Sequence, residues 1–314
     1  MKPVVLALVG PTGSGKTRTA IQLCKKLNAE IVSMDSMQVY RGMDIGTAKP
    51  TPEELIQAPH HMIDVADPDE LFTVSMYREM AVKVIDDILS RGKVPLLVGG
   101  TGLYLQAISY EMSLGENGAD SDLRRELNRI AEEPGGFMKL HNRLRLVDPK
   151  SAEKLHPNDI RRVIRALEIY ETSGKAKSEQ AGEERKEGSY RVLVYGLSLP
   201  REEMYARINR RVDDMVTLGL IEEVKALLEK GIEPRKEGGA MQAIGYKEIV
   251  SALHGEISMD QAISLIKQGS RRYAKRQWTW FRHDTRTKWY DWTEYSSPEL
   301  LIDDLFAQII KDIR

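Results

Sequence analysis

The chain contains 314 residues, of which 41% are hydrophobic and 30% are charged, and its formal net charge is −1. These values are ordinary for a soluble globular protein, and the net charge alone does not indicate a polyanionic partner. The single cysteine, Cys24, excludes an internal disulfide framework and a cysteine-based zinc cluster. No apolar run approaches about 18 residues and the first residues form no basic, apolar leader, so we expect a cytoplasmic protein.

The first motif is an apolar run followed by a glycine-rich loop. Residues Val4–Val9 predict a buried strand, a helix is predicted over Arg18–Leu27, and the loop between them fits the pattern GxxxxGK[ST]: Gly10, Pro11, Thr12, Gly13, Ser14, Gly15, Lys16 and Thr17. Such a loop and helix terminus direct backbone N–H groups at a phosphate chain. Lys16 adds a cation, and the Thr17 hydroxyl can hold Mg²⁺. The loop therefore predicts a diphosphate or triphosphate site without identifying the reaction.

Two further strands are predicted to end in polar residues. The strand Glu30–Met34 is followed by Asp35 and Gln38, and the strand Val94–Val98 is followed by a glycine-rich turn that contains Thr101. In open α/β sheets, ligands bind at the carboxyl ends of the strands. Each residue by itself could be a turn or solvated residue, but their convergence with the phosphate loop predicts a site.

The chain divides by composition into a core and an insertion. Residues 1–112 and 191–314 read as an α/β core with C-terminal helices, and residues 113–190 read as an inserted helical domain. Within the insertion, Asn158-Asp159 is predicted to cap a helix that Gly174 ends, and Lys175–Ser189 is predicted to be a mobile loop. That helix carries basic side chains opposite its apolar face: Arg161, Arg162 and Arg165.

Basic residues recur on two helices near the C-terminus. One helix over Arg201–Leu218 carries Arg207, Arg210 and Arg211 beside its apolar face. A second helix over Asp260–Phe281 places Lys267, Arg271 and Lys275 on one face, which suits contacts with nucleic-acid phosphates. Tryptophans such as the adjacent Trp278 and Trp280 are more often core residues than base-stacking platforms, so we read these two as structural. The His60-His61 pair has no carboxylates at metal-binding spacing and is read as structural.

Several segments together resemble the bacterial tRNA dimethylallyltransferases. The resemblance spans nearly the whole chain, and it rests on Gly10–Thr17, Asp35–Pro50, Gly99–Tyr104, Asn158–Glu168, Met241–Tyr246 and Lys275–Arg282. The run Asp35–Pro50 is its most specific part. The resemblance implies a P-loop NTPase-like α/β fold, in which helices flank a parallel sheet and a small helical domain is inserted.

The resemblance also implies an activity. An enzyme of this family transfers a dimethylallyl group from dimethylallyl diphosphate to the exocyclic amine of the adenine at tRNA position 37, and it releases pyrophosphate. The implied partners are the diphosphate donor and the anticodon stem-loop of tRNA, with Mg²⁺ as cofactor. We expect a monomer without a membrane partner.

The resemblance assigns roles residue by residue. Asp35 would be the general base and Gln38 would contact the flipped adenine, whereas Lys16 and Arg207 would hold the diphosphate together with the loop Gly10–Thr17. Thr17 would bind Mg²⁺, and Thr101 would act near the reacting groups. The implied tRNA-binding residues are Asp35, Ser36, Met37, Gln38, Thr101, Asp159, Ile160, Arg161, Arg162, Val163, Gln242 and Gly245.

Three other functions remain open from the sequence. The enzyme could act on a free adenine nucleotide, although a small substrate would not require the inserted block or the basic helices. A small-molecule or nucleotide kinase shares the phosphate loop and a carboxylate like Asp35. In a non-enzymatic RNA-binding protein, the loop would be only a switch and Asp35 would be dispensable.

Overall fold

The computed structural model describes residues 2–111, 122–180, 186–234 and 239–314. The chain forms two compact units, Met1–Tyr110 with Glu187–Arg314, and Glu111–Lys186. These boundaries lie a few residues from the expected limits of the insertion at 113 and 190. Apart from Asp122, the polar stretch 113–122 lies outside the described residues, as do residues 181–185 of the loop expected to be mobile.

A six-stranded sheet forms the centre of the first unit, and every neighbouring pair of its strands is parallel. The strands are β1 Val4–Val9, β2 Ala29–Met34, β3 His60–His61, β4 Val94–Gly99, β5 Arg191–Ser198 and β6 Lys288–Asp291, in the sheet order β3-β2-β4-β1-β5-β6. Apolar runs predict β1, β2, β4 and β5. The edge strands β3 and β6 are too short and polar for that signal.

Helices make up most of the remaining described chain. They are α1 Lys16–Leu27, α2 Pro52–Gln57, α3 Val74–Ser90, α4 Gly102–Ser109, α5 Asp122–Glu132, α6 Gly136–Val147, α7 Pro149–Lys154, α8 Ile160–Ser173, α9 Lys177–Gln180, α10 Arg201–Thr217, α11 Leu220–Glu229, α12 Tyr246–Leu253, α13 Met259–Arg282 and α14 Pro298–Ile313. Helix α9 lies where the sequence predicts only a loop. No helix in the described ranges is long and apolar enough to cross a membrane.

Both faces of the sheet are buried, as a parallel sheet requires. One face packs against α3 and α4 through a core that includes Tyr77, Ile85 and Leu105. The other face packs against α1 and α14 through residues such as Leu23 and Leu305. A further apolar cluster joins α11, α12 and the first part of α13. The C-terminal helices α11, α12 and α13 are therefore held in the first unit by an apolar cluster separate from the two that cover the sheet.

The second unit contains α5–α9 around a separate apolar core. Helix α8 ends at Gly174, which has the predicted left-handed conformation with φ of 67°. The predicted cap at its start is wrong in detail. Asp159 occupies the N-cap position but makes no side-chain hydrogen bond to the helix amides, and its Oδ2 lies 3.4 Å from Arg162 Nη1. The nearby guanidinium competes for the carboxylate.

Glycines after β4 let α13 approach the edge of the sheet. A Cβ placed on Gly100 would lie 1.9 Å from Gln277 Nε2, and one on Gly102 would lie 2.2 Å from Trp280 Cε3. A Cβ on Gly99 would lie 2.3 Å from the Met34 carbonyl oxygen. The small residues are therefore required by close packing of the turn against a strand and a helix.

We predict that Gly102→Ala destabilises the fold by about 1–3 kcal/mol, because the added methyl group overlaps the Trp280 indole. The matched control is Gly269→Ala in α13, where the nearest atom to an added Cβ is Ile244 Cγ2 at 3.3 Å. Alanine also gains about 1 kcal/mol of helix propensity there. Denaturant unfolding should show a clearly larger loss for Gly102→Ala, and equal losses would contradict the packing argument.

Candidate active site

The loops that follow β1, β2 and β4 line one cleft of about 640 Å³ in the first unit. It lies at the carboxyl edge of the sheet, where the sequence predicts the site. Its charged lining contains six basic and two acidic side chains: Lys16, Arg18, Lys49, Arg211, Lys247, Arg276, Asp35 and Glu54. Such an excess of positive charge attracts anionic ligands.

Hydrogen bonds from the Lys16 side chain stabilise the conformation of the phosphate loop. Lys16 Nζ donates to the carbonyl oxygens of Gly10 and Pro11, each at 2.9 Å. Burial and, to a smaller extent, the charge of Arg211 lower the pKa of Lys16 to about 7. Because α1 begins at Lys16, its free N-terminal amides point toward the same place. The loop therefore presents a concentrated set of donors for an anion.

The structure brings Arg211 to the loop, whereas Arg207 was the arginine predicted there. Arg211 lines the cleft, and its Nη1 lies 3.4 Å from Thr12 Oγ1. Arg207 lies one turn earlier on α10, outside the cleft lining in the described structure, and its Nη2 donates to Glu203 Oε1 at 2.6 Å. The role predicted for Arg207 stays a prediction, and the geometry makes Arg211 the better placed ligand for a diphosphate.

Asp35 lines the cleft directly after β2. Its Oδ1 accepts hydrogen bonds from the backbone N–H groups of Met37 at 2.9 Å and Gln38 at 3.4 Å. Burial raises the pKa of Asp35, while these two amides and the charge of Lys16 act in the opposite direction. The residue is thus both a turn residue and a carboxylate in the cleft, and the two readings of the sequence are compatible.

Gln38 lines the cleft with its amide fixed by the protein. Nε2 donates to the carbonyl oxygens of Thr47 at 3.3 Å and Ala48 at 3.1 Å, and Oε1 accepts from Ser33 Oγ at 3.2 Å. The carbonyl partners fix which end of the amide is nitrogen. The predicted adenine contact therefore has a preorganised orientation.

Thr101 supports the turn after β2. Its Oγ1 accepts from the backbone N–H of Ser36 at 3.2 Å. Tyr273 on α13 lines the cleft, and burial raises its pKa to about 12. Thr101 is not among the described residues that line the cleft, and its predicted role near the reacting groups stays a prediction.

Most of the predicted site residues of the first unit meet at this cleft. Those that line it are Thr12, Gly13, Gly15, Lys16, Thr17, Asp35, Ser36, Met37, Gln38, Gln242 and Gly245. The buried residues at the base of the same loop are Gly10, Pro11 and Ser14. The second unit carries the remaining predicted tRNA contacts at the start of α8: Asp159, Ile160, Arg161, Arg162 and Val163.

The predicted basic face of α13 is partly used within the protein. Lys267 pairs with Asp213, and Arg271 donates to Asn209 Oδ1, so both side chains face α10. Lys275 is exposed. Trp280 packs against the central core, in agreement with the structural reading of the tryptophans. The helix therefore offers less free positive charge than its sequence suggests.

Thr17 has surroundings that fit a magnesium ion shared with a ligand. It lies in the second position of α1, and its side chain lines the cleft. Within the described residues, no group of three or more His, Cys, Asp or Glu side chains could hold a metal alone. Mg²⁺ typically takes one or two protein ligands and completes its shell with substrate phosphates and water. Thr17 and a bound diphosphate would supply such a shell.

Comparisons with known proteins agree with this geometry. Residues 38–284 match the family model described as IPP transferase. The chain is 49% identical over 295 residues to the tRNA dimethylallyltransferase of Halalkalibacterium halodurans, which covers 94% of this chain and 93% of that protein. It is 46% identical over 308 residues to the tRNA dimethylallyltransferase of Bacillus subtilis, with 98% and 96% covered.

The chain belongs to the IPP transferase family. Its members named here are tRNA dimethylallyltransferases, and the chain is accordingly a prenyltransferase. A crystal structure of the full-length tRNA isopentenylpyrophosphate transferase from Bacillus halodurans matches with a TM-score of 0.73 and 44% identity, over 99% of this chain and 96% of that one. A eukaryotic dimethylallyltransferase acting on tRNA matches with a TM-score of 0.78 and 34% identity, over 92% and 74%. The predicted fold is confirmed.

Several residues that line the cleft were not assigned to the site from the sequence, among them Tyr273 and Gln277, and Arg211 was named only as a neighbour of Arg207. Tyr273 and Gln277 are four residues apart on α13 and therefore lie on the same side of that helix. This spacing is the sequence signal that could have placed both residues at the site.

We predict that Arg211→Ala lowers kcat/KM for the diphosphate donor by about 10–100-fold, because a charge-assisted hydrogen bond is worth about 1.5–3 kcal/mol. Arg207→Ala is the matched variant one turn away on α10. It should have the smaller effect, because that guanidinium pairs with Glu203. Steady-state kinetics with both variants shows which arginine binds the diphosphate. A larger loss of kcat/KM for Arg207→Ala would support Arg207, as predicted from the sequence.

The pKa of Lys16 leads to a prediction about pH. The free protein holds this pKa at about 7, and a bound diphosphate favours the charged ammonium and raises it again. Above pH 7, binding of dimethylallyl diphosphate should therefore take up a proton, and affinity should fall as pH rises. Calorimetry at pH 8 in buffers of different ionisation enthalpy measures this uptake.

The matched control for this measurement is Lys16→Arg, because arginine stays charged throughout the range. It accounts for protons taken up by the diphosphate itself. An equal proton uptake by this variant and the wild type would assign the uptake to another group.

Proposed function

We propose that this chain transfers a dimethylallyl group from dimethylallyl diphosphate to the exocyclic amine of adenine at position 37 of tRNA. The observation that carries the proposal is that the phosphate loop and Asp35 line the same cleft. A transfer of this kind needs a site for the leaving diphosphate and, across from it, a base for the attacking amine.

The loop side of the cleft suits the leaving group. Negative charge accumulates on pyrophosphate as its bond to the prenyl carbon breaks, and preorganised donors stabilise that charge. Lys16, the first turn of α1 and Arg211 supply such donors. When bound at Thr17, Mg²⁺ would neutralise part of the same charge. The binding energy is thus directed at the group whose charge grows during the reaction.

Asp35 in the same cleft suits the nucleophile. The amine nitrogen forms a bond to C1 of the dimethylallyl group, and the C1–O bond breaks with its electron pair passing to pyrophosphate. Asp35 accepts the proton that the amine loses. Burial raises the pKa of this carboxyl and so makes its carboxylate a stronger base. The raised pKa also implies that activity falls when acid protonates the group.

The acceptor must leave its base stack to reach this cleft, as in other enzymes that modify a base. The fixed amide of Gln38 gives the extruded adenine a polar partner. Relatives across bacteria carry the name tRNA dimethylallyltransferase, which supports tRNA as the source of that adenine. We further infer a monomer that works in the cytoplasm.

The second unit is the natural candidate for a contact with the rest of the tRNA. Arg161 and Arg162 are exposed at the start of α8. Exposed arginines can contact the phosphate backbone, which supplies most of the affinity of proteins for nucleic acid. We assign the insertion expected at 113–190 to tRNA binding on this ground.

The proposal predicts that purified protein modifies tRNA with only Mg²⁺ and dimethylallyl diphosphate present. The prenyl label should appear in tRNA, and pyrophosphate should be released, with no orthophosphate and no need for ATP. AMP in place of tRNA tests the free-nucleotide alternative. An absolute requirement for ATP hydrolysis would favour a kinase or ATPase instead.

Asp35→Asn is the control for this assay, because it preserves shape and removes the base. Turnover should fall by roughly 10²–10⁴-fold, while tRNA affinity at one salt concentration changes little. Near wild-type turnover would remove Asp35 from the mechanism. A wild-type protein that binds tRNA but shows no transfer would instead favour the RNA-binding alternative.

A further inference from the structure

A buried glutamine on α13 connects two of the loops that form the cleft. Gln277 is 5% exposed. The backbone N–H of Thr12 donates to its Oε1 at 2.8 Å, and its Nε2 donates to the Gly100 carbonyl oxygen at 3.2 Å. One side-chain amide therefore joins the phosphate loop after β1 to the turn after β4. Both bonds are buried or partly buried, where an unmet polar group is costly.

The connection extends to the loop that carries Asp35. Gly100, which accepts from Gln277, is followed directly by Thr101. Thr101 Oγ1 in turn accepts from the backbone N–H of Ser36, the residue next to Asp35. Gln277 and the backbone of Gly100 and Thr101 thus link Thr12 to the start of the Asp35 turn.

The packing around Gln277 leaves little room for another arrangement. A Cβ on Gly100 would lie 1.9 Å from Nε2, so the turn after β4 lies directly against the amide. Thr12 is also contacted by Arg211 Nη1, which lies 3.4 Å from its hydroxyl oxygen. The side chain is consequently fixed between two backbone segments whose separation it can determine.

We propose that Gln277 is a positioning residue that sets the distance between the phosphate loop and the Asp35 edge of the cleft. This inference rests on the proposed function, in which the loop holds the leaving group and Asp35 faces the attacking amine. The reacting carbon and nitrogen must then be aligned between two separately held groups. Misplacement by about 1 Å through a change away from the chemistry can cost about 10²-fold in rate.

Replacement of Gln277 by methionine tests the proposal, because Gln277→Met keeps a similar volume and removes both hydrogen bonds. We expect kcat to fall by about 10–100-fold, while KM for dimethylallyl diphosphate changes less than about threefold. The donor still meets Lys16 and α1, so ground-state binding remains while alignment is lost. The matched control is Gln268→Met at an exposed position of α13, which should retain wild-type kinetics.

A second variant, Gln277→Glu, tests the proposal if Gln277→Met folds poorly. Gln277→Glu retains an acceptor for Thr12 and, when protonated, also an O–H donor for Gly100. Its kcat relative to the wild type should therefore rise as pH is lowered, although the wild type itself loses activity when Asp35 is protonated. A general loss of stability would not produce this pH-dependent recovery.

The shared connection gives a further measurement. Thr101→Val removes the acceptor for Ser36, and it should combine non-additively with Gln277→Met, because both changes loosen the same connection. Fully additive losses in kcat would overturn the proposal, and so would wild-type kcat in Gln277→Met. A raised KM with unchanged kcat would also overturn it, because Gln277 would then contribute to ground-state binding. Transfer by the wild type in the same assay separates these failures from failure of the proposed function.

Discussion

The candidate site depends on the parallel direction of the sheet. Because all neighbouring strands are parallel, β1, β2 and β4 deliver their following loops to one edge. Strand β4 lies between β1 and β2, so the phosphate loop and Asp35 start from strands two positions apart, about 10 Å at the usual strand spacing. That separation leaves room for a prenyl group between a bound diphosphate and an amine. The intervening turn must be small, which accounts for Gly99 and Gly100.

A carboxylate from a distant helix explains why the run Asp35–Pro50 is so specific. Glu223 on α11 accepts three successive backbone N–H groups, those of Asp44 and Ile45 at 2.8 Å and of Gly46 at 3.1 Å. The Tyr246 hydroxyl donates to the same carboxylate at 2.6 Å. The loop that wraps this anion also presents the two carbonyl oxygens that orient the Gln38 amide. The conformation of this loop and the orientation of Gln38, the predicted adenine contact, are therefore linked through Glu223.

Local sequence predicts those parts of the molecule that depend on local patterns. Short, largely apolar runs identify the central strands, and the loop Gly10–Thr17 identifies its own ligand chemistry. Which of two similar residues reaches the cleft depends on tertiary contacts, and local sequence patterns do not predict those contacts. Arg207 and Arg211 share one face of α10, and only Glu203 and Thr12 distinguish them. Likewise, only the packing of α10 against α13 shows that Lys267 meets Asp213.

The phosphate loop cannot by itself determine which reaction occurs. Its conformation is supported from the far end of the chain, where Trp292 Nε1 donates to the Ser14 carbonyl oxygen at 2.7 Å and Gln277 accepts from Thr12. These contacts, together with Lys16, serve to bind a phosphate chain, and none of them distinguishes a diphosphate from a triphosphate. A kinase needs an acceptor in line with a terminal phosphate. In the proposed function, Asp35 in the same cleft assists an amine that attacks carbon, so the proposed reaction class depends on Asp35 and its surroundings and not on the loop.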